Sequence, residues 1–560
     1  MSPDRAGAWD YLIVTASNDR QAEAYRAEIG LRARQGRIPQ AKRVLVVADP
    51  GGLRVGSGGS TIACLMRVLE IELGGSADRF ADPRAWRETL DRLRILIIHA
   101  GGDSKRLPAY GPCGKIFVPV PAGLRPGPPA SARAWRLPVT IFDRLAPIYL
   151  GLPAPANGRG HTVVTTGDVL LFFDPRRAAF TRGGITALGC LVSPETSKNH
   201  GVFIPDEEST IRRYLQKPSV AAQVEAGAVF ARGRSILDLG VMSFDAETAA
   251  RMLDLAGVRS ARESGRHRLA WSGPTARALE TWGLDIFREI ACALGADTDF
   301  AGYVEAARAA GSPWDEARLR RVYTCLHGLD FSLSLLPRCR FLHFGTSREL
   351  IRSGNALRRR DRTAAAGDSV VSLNTTFRGR GRGGRIAGKE SWVEGCDIGA
   401  KLTLAGRNVV VGLDVDEPLA LPRGAALDVL KGADRKGRAV WFVRAYAVDD
   451  VFHKPAEKGV RNDRGGRLAG LPLGEWLEAM GARPEDVWGA DVPPGGRQVW
   501  NGRFFPAAAR ASGYRDWLWL LEPRKATAAQ KRAWRAADRY SFAEMAALAD
   551  QEAFHARRRG

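Results

Sequence analysis

The sequence predicts an α/β chain: a mainly parallel sheet, then a small repetitive β region, then a mixed to helical C-terminal part. Three observations carry this. Short apolar runs at 10–17, 43–49, 94–100 and 161–166 are separated by helical stretches, the pattern of strands joined by crossover helices. Large apolar residues recur every six positions from 386 to 410, with glycines between them. The stretch 526–556 is rich in helix-forming residues.

In chain order, the first strand is Asp10-Tyr-Leu-Ile-Val-Thr-Ala-Ser17. An Ala/Arg/Glu-rich helical segment, 19–36, leads to the second, Arg43-Val-Leu-Val-Val-Ala-Asp49. The third ends at Ala100 and the fourth spans His161–Thr166. Such alternation is Rossmann-like and puts ligands at the carboxyl ends of the strands. Residues 121–135, rich in Pro, Gly and Ala, read as a surface loop, and a mixed region continues to about residue 350. Ser353–Gly367 is polar and reads as a linker. Ile386, Trp392, Ile398, Leu404 and Val410 then predict a β-helix-like region over 368–440, each hexad turning one corner of a triangular coil. Residues 441–560 read as mixed α/β to helical, with a short amphipathic helix at Leu473–Met480.

Composition narrows the function classes. The chain has 560 residues, 45% hydrophobic, with 14 Trp. No run approaches the roughly 18 apolar residues of a membrane span, and the first residues lack the apolar core of a signal peptide. Seven scattered cysteines without a Cys-x-x-Cys pair give no zinc signature and fit a reducing cytoplasm. The net charge of +22 invites a nucleic-acid reading. The excess is nearly all Arg, spread along a chain rich in Ala, Gly and Pro, which looks like a compositional bias of the source genome. The local clusters, Arg358–Arg360 with Arg362 and Arg557–Arg559, lack the interleaved aromatics of a single-strand binding surface. No nucleic acid and no membrane partner is expected.

The densest chemistry follows the third strand. In His99-Ala-Gly-Gly-Asp-Ser-Lys-Arg-Leu-Pro108, Gly101 and Gly102 can bend the backbone so that consecutive N–H groups meet an anion. Lys105, Arg106 and Lys115 add mobile positive charge, which suits a nucleoside triphosphate. The plainer reading is a strand-to-helix turn with surface cations. The segment is not a Walker A loop, because Gly114-Lys115 precedes Ile116 and position 109 is not glycine. A second glycine-rich segment, Asp49–Thr61, contains Gly56, Ser57, Gly58, Gly59 and Ser60 at the opening of a helix. Amides there favour an anion or a polar base edge; a simple connection is the alternative. Thr165-Thr-Gly-Asp168 puts a carboxylate at the end of the fourth strand, suited to Mg²⁺ or to a turn or cap. Asn199-His-Gly-Val-Phe203 predicts a strand that carries Asn199 inward. Lys217, extended before Pro218, is placed to meet a second phosphate or is a solvated loop lysine. Asp238 leads a further strand, for sugar hydroxyls or as a strand-start cap.

In this order the motifs resemble those of the sugar-1-phosphate nucleotidyltransferases. Arg340-Phe-Leu-His-Phe-Gly-Thr-Ser-Arg-Glu-Leu350 is similar to the Arg-Phe-x-Pro-Val-Lys-Thr-x-x-Asp-Leu stretch of the uridylyltransferase branch, with Gly345 in place of the lysine. His99–Pro108, Arg54-Val-Gly-Ser-Gly-Gly-Ser-Thr61, Asn199–Phe203 and Leu215-Gln-Lys-Pro218 narrow the resemblance to L-fucose-1-phosphate guanylyltransferases. Ala445-Tyr-Ala-Val-Asp-Asp450 and Val499-Trp-Asn-Gly-Arg-Phe-Phe-Pro506 extend it over almost the whole chain. Members of that family also stand in front of a fucokinase in bifunctional enzymes. No sugar-kinase loop of the Gly-Leu-Gly-Ser-Ser type is seen here, so no fucokinase activity is expected, and a separate sugar kinase would supply the substrate.

The resemblance implies GTP and L-fucose 1-phosphate as substrates, GDP-L-fucose and pyrophosphate as products, and Mg²⁺ or Mn²⁺ as cofactor. It implies that residues 1–352 form the nucleotidyltransferase-like domain, in the cytoplasm. It assigns Gly101, Gly102, Asp103 and Ser104 to the triphosphate, Arg106 to the leaving pyrophosphate, Lys115 to the α-phosphate and Asp168 to the metal. Lys217 is assigned to the sugar 1-phosphate, Asn199 and Asp238 to sugar hydroxyls, and Gly56–Ser60 to the nucleotide. Another sugar phosphate and nucleotide pair, or a silent nucleotide-sugar binder, are the competing readings.

Overall fold

The computed structural model describes residues 8–559 apart from 39–40, 75, 103, 123–136, 181–182, 264–265, 364–366, 380–382 and 456–464. Most of the expected loop 121–135, and Asp103, lie outside the described residues. The fold is mixed α/β and divides into two compact units. The first is Met1–Gly102, Asp143–Gly167 and Leu171–Phe341; the second is Asp103–Phe142, Asp168–Leu170 and Leu342–Gly560.

The core of the first unit is a nine-stranded sheet. Neighbouring strands run in the order Phe331–Leu336, Ile185–Val192, Ser235–Phe244, His161–Thr166, Arg94–His99, Trp9–Ala16 and Ala41–Ala48. The four strands expected from the apolar runs are mutually parallel. Ile95–Ile98 and Leu12–Val14 are fully buried, as continuous apolar runs are when both faces of a parallel sheet are covered. The outer strand Ala41–Ala48 is only partly buried and carries Lys42 and Arg43, charges that discourage edge pairing. Ser235–Phe244 is antiparallel to both of its neighbours. The hairpin Gly201–Pro205 with Ile211–Gln216 joins at its start. Helix Asp19–Arg34 is capped by the Asn18 side chain, and helix Gly56–Leu73 buries Ile62, Leu65, Val68 and Leu69.

In the second unit short parallel strands stack in three sets, with steps of 21, 21 and 16 residues in the first coil and a constant step after it. Trp392 pairs with Val409, Asp397 with Asp414 and Leu402 with Leu419, each 17 residues on. Trp392, Ile398 and Leu404 fall one on each set, Val410 returns to the first, and all four are buried. The six-residue spacing therefore carries the chain from one strand set to the next, three such steps overshooting the 17-residue coil by one residue. The last coil runs into an antiparallel sheet of Ala425–Ala433, Ala439–Ala447, Phe505–Ala508 and Arg539–Tyr540. The helix Leu473–Met480 forms as expected, and 526–556 folds mostly as the helices Ala528–Ala536, Phe542–Leu548 and Gln551–Ala556.

The expected linker Ser353–Gly367 is corrected: Ser347–Arg360 is a helix, N-capped by Thr346. Its polar appearance comes from small residues at a close contact. A Cβ at Gly354 would lie 2.6 Å from Cζ3 of Trp392, and Ser353 and Asn355 are buried beside it. The arginine clusters are tied to the fold. Arg358 pairs with Asp368, Arg557 with Asp414, and Arg558 with the buried Glu394. Among the described residues no disulfide joins any of the seven cysteines, and no helix is long and apolar enough to cross a membrane.

Candidate functional site

In the first unit the glycine-rich segments are more occupied than a free anion site requires. Thr15 Oγ1 accepts from the amides of Ala100 at 3.1 Å and Gly101 at 3.3 Å. Gly102 turns at φ +123° with open space where a side chain would be. At the start of helix Gly56–Leu73 the amides of Gly58 and Gly59 both donate to the Leu284 carbonyl, at 2.8 and 3.4 Å. A Cβ at Gly56 would strike that same backbone. These glycines therefore admit the 283–284 segment across the helix end. Ser57 Oγ accepts from the Ile286 amide at 2.9 Å and contacts Asp285. Ser60 donates to Asp49, whose carboxyl burial pushes up to about 6. Beside the loop, Thr61 Oγ1 meets His99 Nε2 at 3.0 Å, and burial pulls that imidazole down to about 4.

The three residues assigned to the sugar phosphate also lie in the first unit. Asn199 is exposed in the turn before the strand Gly201–Pro205, so it is not carried inward on that strand as expected. Lys217 is exposed, but not extended: its φ is +52°. The correction has a local cause, because the Lys217 amide donates to the His200 carbonyl at 3.0 Å and closes the hairpin end. The clash with Pro218 disfavours helical backbone at this position, and left-handed backbone in a lysine is uncommon. Asp238 is the fourth residue of its strand, not its cap. It accepts from the Gly240 amide at 2.7 Å and the Tyr214 hydroxyl at 3.0 Å. Burial outweighs both donors and raises its carboxyl to about 6. The Tyr214 hydroxyl fills the place of a side chain at 201, which explains the glycine of Asn-His-Gly-Val-Phe.

The second unit holds a tighter cluster. Gly114 at φ +64° turns the chain into Lys115. Lys115 Nζ lies 2.7 Å from Asp168 Oδ2, and the two side chains are 20% and 25% exposed, so both are open to a ligand. His343 Nε2 stands 3.8 Å from the same oxygen, and its Nδ1 is 2.6 Å from Glu349 Oε2. Thr346 donates to that Glu349 oxygen at 3.0 Å. Burial alone would raise Asp168, but the Lys115 charge and the His343 contact outweigh it and hold the carboxyl well below its ordinary value. Burial alone would lower His343, but Asp168 and Glu349 outweigh it and lift the imidazole to about 9. Arg106 accepts the Ser347 amide on its carbonyl at 3.3 Å, and its charge lowers Glu349 after burial and His343 have acted. Ser104 takes φ +54°, and among the described residues its buried hydroxyl has no hydrogen-bond partner. His453 is pulled down by burial and then by Arg106, Lys454 and Lys105, which marks a cationic neighbourhood that includes two residues of 451–455.

Arg106, Lys115 and Asp168 thus belong to one unit, and Asp103 is outside the described residues. Reasoning from sequence missed His343, Glu349, His453 and Lys454. The Thr346-x-x-Glu349 spacing is a helix-start signature that points to Glu349; nothing local marks His343 as its partner. Among the described residues no group of three His, Cys, Asp or Glu is arranged to hold a metal. The carboxylate of Asp168 is an oxygen donor of the kind a divalent cation takes.

A family model described as fucose pyrophosphorylase domain matches residues 87–510. The chain is 25% identical over 582 residues to a bifunctional fucokinase/GDP-fucose pyrophosphorylase of Arabidopsis thaliana, covering 97% of this chain and 51% of that protein. It is 26% identical over 457 residues to an L-fucokinase/L-fucose-1-P guanylyltransferase of Bacteroides fragilis, covering 79% and 41%. A fucose-1-phosphate guanylyltransferase of Mus musculus is 24% identical over 364 residues, covering 61% and 56%. The chain spans about half the length of these relatives.

Proposed function

The chain belongs to the fucose pyrophosphorylase domain family, and we propose that it joins GTP and L-fucose 1-phosphate to give GDP-L-fucose and pyrophosphate. A phosphate oxygen of the sugar attacks the α-phosphorus of GTP. The bond to the bridging oxygen breaks, and pyrophosphate leaves with the electron pair. No covalent enzyme intermediate is needed, so catalysis is positioning and charge neutralisation.

The observation that carries the reading is the Lys115–Asp168 pair at 2.7 Å. The carboxylate orients the ammonium, which then meets the α-phosphate as negative charge builds there. Arg106 is assigned to the pyrophosphate, with Gly101, Gly102 and Ser104 on the triphosphate and Gly56–Ser60 near the nucleotide. Lys217 is assigned to the sugar 1-phosphate; its left-handed backbone is the kind of strain that a functional site retains. Asn199 and Asp238 are assigned to sugar hydroxyls. Asp168 would hold Mg²⁺ or Mn²⁺, hard ions that take oxygen ligands, and such an ion would supply further neutralisation of phosphate charge. We read the first unit's sheet as Rossmann-like, supported by its parallel strands and crossover helices, and the 17-residue coils as β-helix-like. A cytoplasmic setting is supported by cysteines that no disulfide joins among the described residues.

The test is pyrophosphate release with each nucleoside triphosphate and a panel of sugar 1-phosphates. Signal is expected only with GTP and L-fucose 1-phosphate. Lys115→Ala is expected to lower the rate at least about a hundredfold, the scale of losing a donor that acts in the transition state. A different preferred pair, or release unaffected by Lys115→Ala, overturns the assignment.

A further inference from the structure

We propose that His343 is a positioning residue for Asp168, held from behind by Glu349, and that position 345 is glycine to admit its imidazole. The inference deepens the reading above and rests on it for the reaction.

The geometry is specific. The imidazole has carboxylates on opposite nitrogens: Asp168 Oδ2 is 3.8 Å from Nε2, and Glu349 Oε2 is 2.6 Å from Nδ1. Glu349 is fixed in turn by Thr346, whose hydroxyl donates to Oε2 at 3.0 Å and accepts from the Glu349 amide at 3.2 Å. The orientation of the ring is therefore set by the first turn of the helix Ser347–Arg360. A Cβ at Gly345 would lie 2.5 Å from Cε1 and 2.7 Å from Nε2 of His343. Any other residue at 345 forces the ring out of this position or shifts the backbone. The φ of Gly345 is not in the left-handed region, so backbone conformation does not demand glycine there; the ring does. The stretch that this segment resembles has proline at 343 and lysine at 345. Here position 343 is histidine and position 345 is glycine, and the acid at 349 is glutamate.

His343 and Lys115 then share Asp168 Oδ2 between them. With the imidazole in place, the carboxylate is braced on one side and Lys115 is aimed from the other. Removing the ring lets Asp168 swing and Lys115 follow it.

The experiment is a double-mutant cycle on full-length protein with His343→Ala and Gly345→Ala. Both single variants are expected to lower kcat by about ten- to a hundredfold, the cost of misplacing a reacting group by an ångström. KM for GTP is expected to stay within about twofold, because the residue acts through Asp168 on the chemical step. The double variant is expected to be no slower than His343→Ala, since both changes remove one imidazole contact. Multiplied losses, or a Gly345→Ala enzyme with wild-type kcat, overturn the proposal. A second arm follows the imidazole signals of histidine-labelled protein by NMR without substrate. The His343 signal is expected to move in Asp168→Asn, Glu349→Gln and Gly345→Ala, and a signal indifferent to all three overturns the pairing. A wild-type chain that releases no pyrophosphate overturns the reaction and the rate effect assigned to His343, while the NMR arm still decides whether the ring holds Asp168.

Discussion

At Asp238 burial and hydrogen bonding act in opposite directions, and burial wins. The carboxyl is 6% exposed and accepts from the Gly240 amide and the Tyr214 hydroxyl, yet it sits at about 6. An unfolded Asp titrates near about 3.9. A folded value raised above the unfolded one means that its contribution to stability is fully present below about 3.9 and is lost as pH rises through about 6. That difference corresponds to roughly 2–3 kcal/mol. Asp238→Asn keeps an acceptor for Gly240 and offers a donor to Tyr214, without the charge. The stability of this variant relative to wild type is expected to rise by about 2 kcal/mol between pH 4 and pH 7. Asp49 is raised in the same sense, but it is common to both proteins and drops out of the difference. Urea unfolding of both at several pH values checks this; a difference flat with pH would show that Asp238 titrates in the ordinary range. The role of an acid on this strand was legible in the sequence only as a position. Its neighbours come from the hairpin strand 211–216 and from the left-handed turn at Gly240, and neither is a local signal.

At the scale of elements, apolar spacing was readable and close contact was not. The four parallel strands could be read because they are continuous apolar runs, the pattern of strands covered on both faces, and the six-residue rhythm of Trp392, Ile398, Leu404 and Val410 because each strand set buries at least one of them. The sequence reads as a linker where the helix Ser347–Arg360 runs, because Ser353, Gly354 and Asn355 give no apolar period although all three are buried. Gly354 lacks a side chain because Trp392 is there, and Trp392 cannot retreat: it is fully buried, and its Nε1 donates to Tyr110 Oη at 2.7 Å. The same lesson holds for Gly345 and Gly201, whose missing side chains are occupied by His343 and Tyr214. Gly354→Ala sets two effects against each other. Helix propensity favours alanine by about 1 kcal/mol. A Cβ 2.6 Å from the indole overpacks the contact, at a cost of about 1–3 kcal/mol. Net destabilisation is expected, measured as the urea midpoint. Gly474→Ala is the control: that helical glycine has nothing within 4 Å of a built Cβ, so propensity alone acts and the midpoint is expected to rise. Equal shifts in both variants would remove the steric account of Gly354.

At the scale of the whole molecule, the charge of +22 looks like a surface property, but part of it is internal structure. Arg558 lies in a run of three arginines near the C-terminus and is 4% exposed. Its Nε donates to Glu394 Oε2 at 3.0 Å. Glu394 also accepts from Tyr110 at 3.2 Å and from Asn374 at 2.9 Å. One buried carboxylate thus joins Tyr110, the parallel coils and the turn that follows the helix Gln551–Ala556 within the second unit. No window of sequence could reveal this, because Arg558 and Glu394 are 164 residues apart. Arg558→Met keeps most of the apolar stem and strands the carboxylate, and breaking a buried pair in this way costs about 3–5 kcal/mol. Adding Glu394→Gln removes the stranded charge while an amide oxygen still accepts from Tyr110 or Asn374. The double variant is therefore expected to be more stable than Arg558→Met alone, as read by urea unfolding followed through tryptophan fluorescence. If the double variant is the weaker of the two, the favourable term is the neutral network around Glu394 and not its charge, and Arg558 serves chiefly by packing its stem against Phe554.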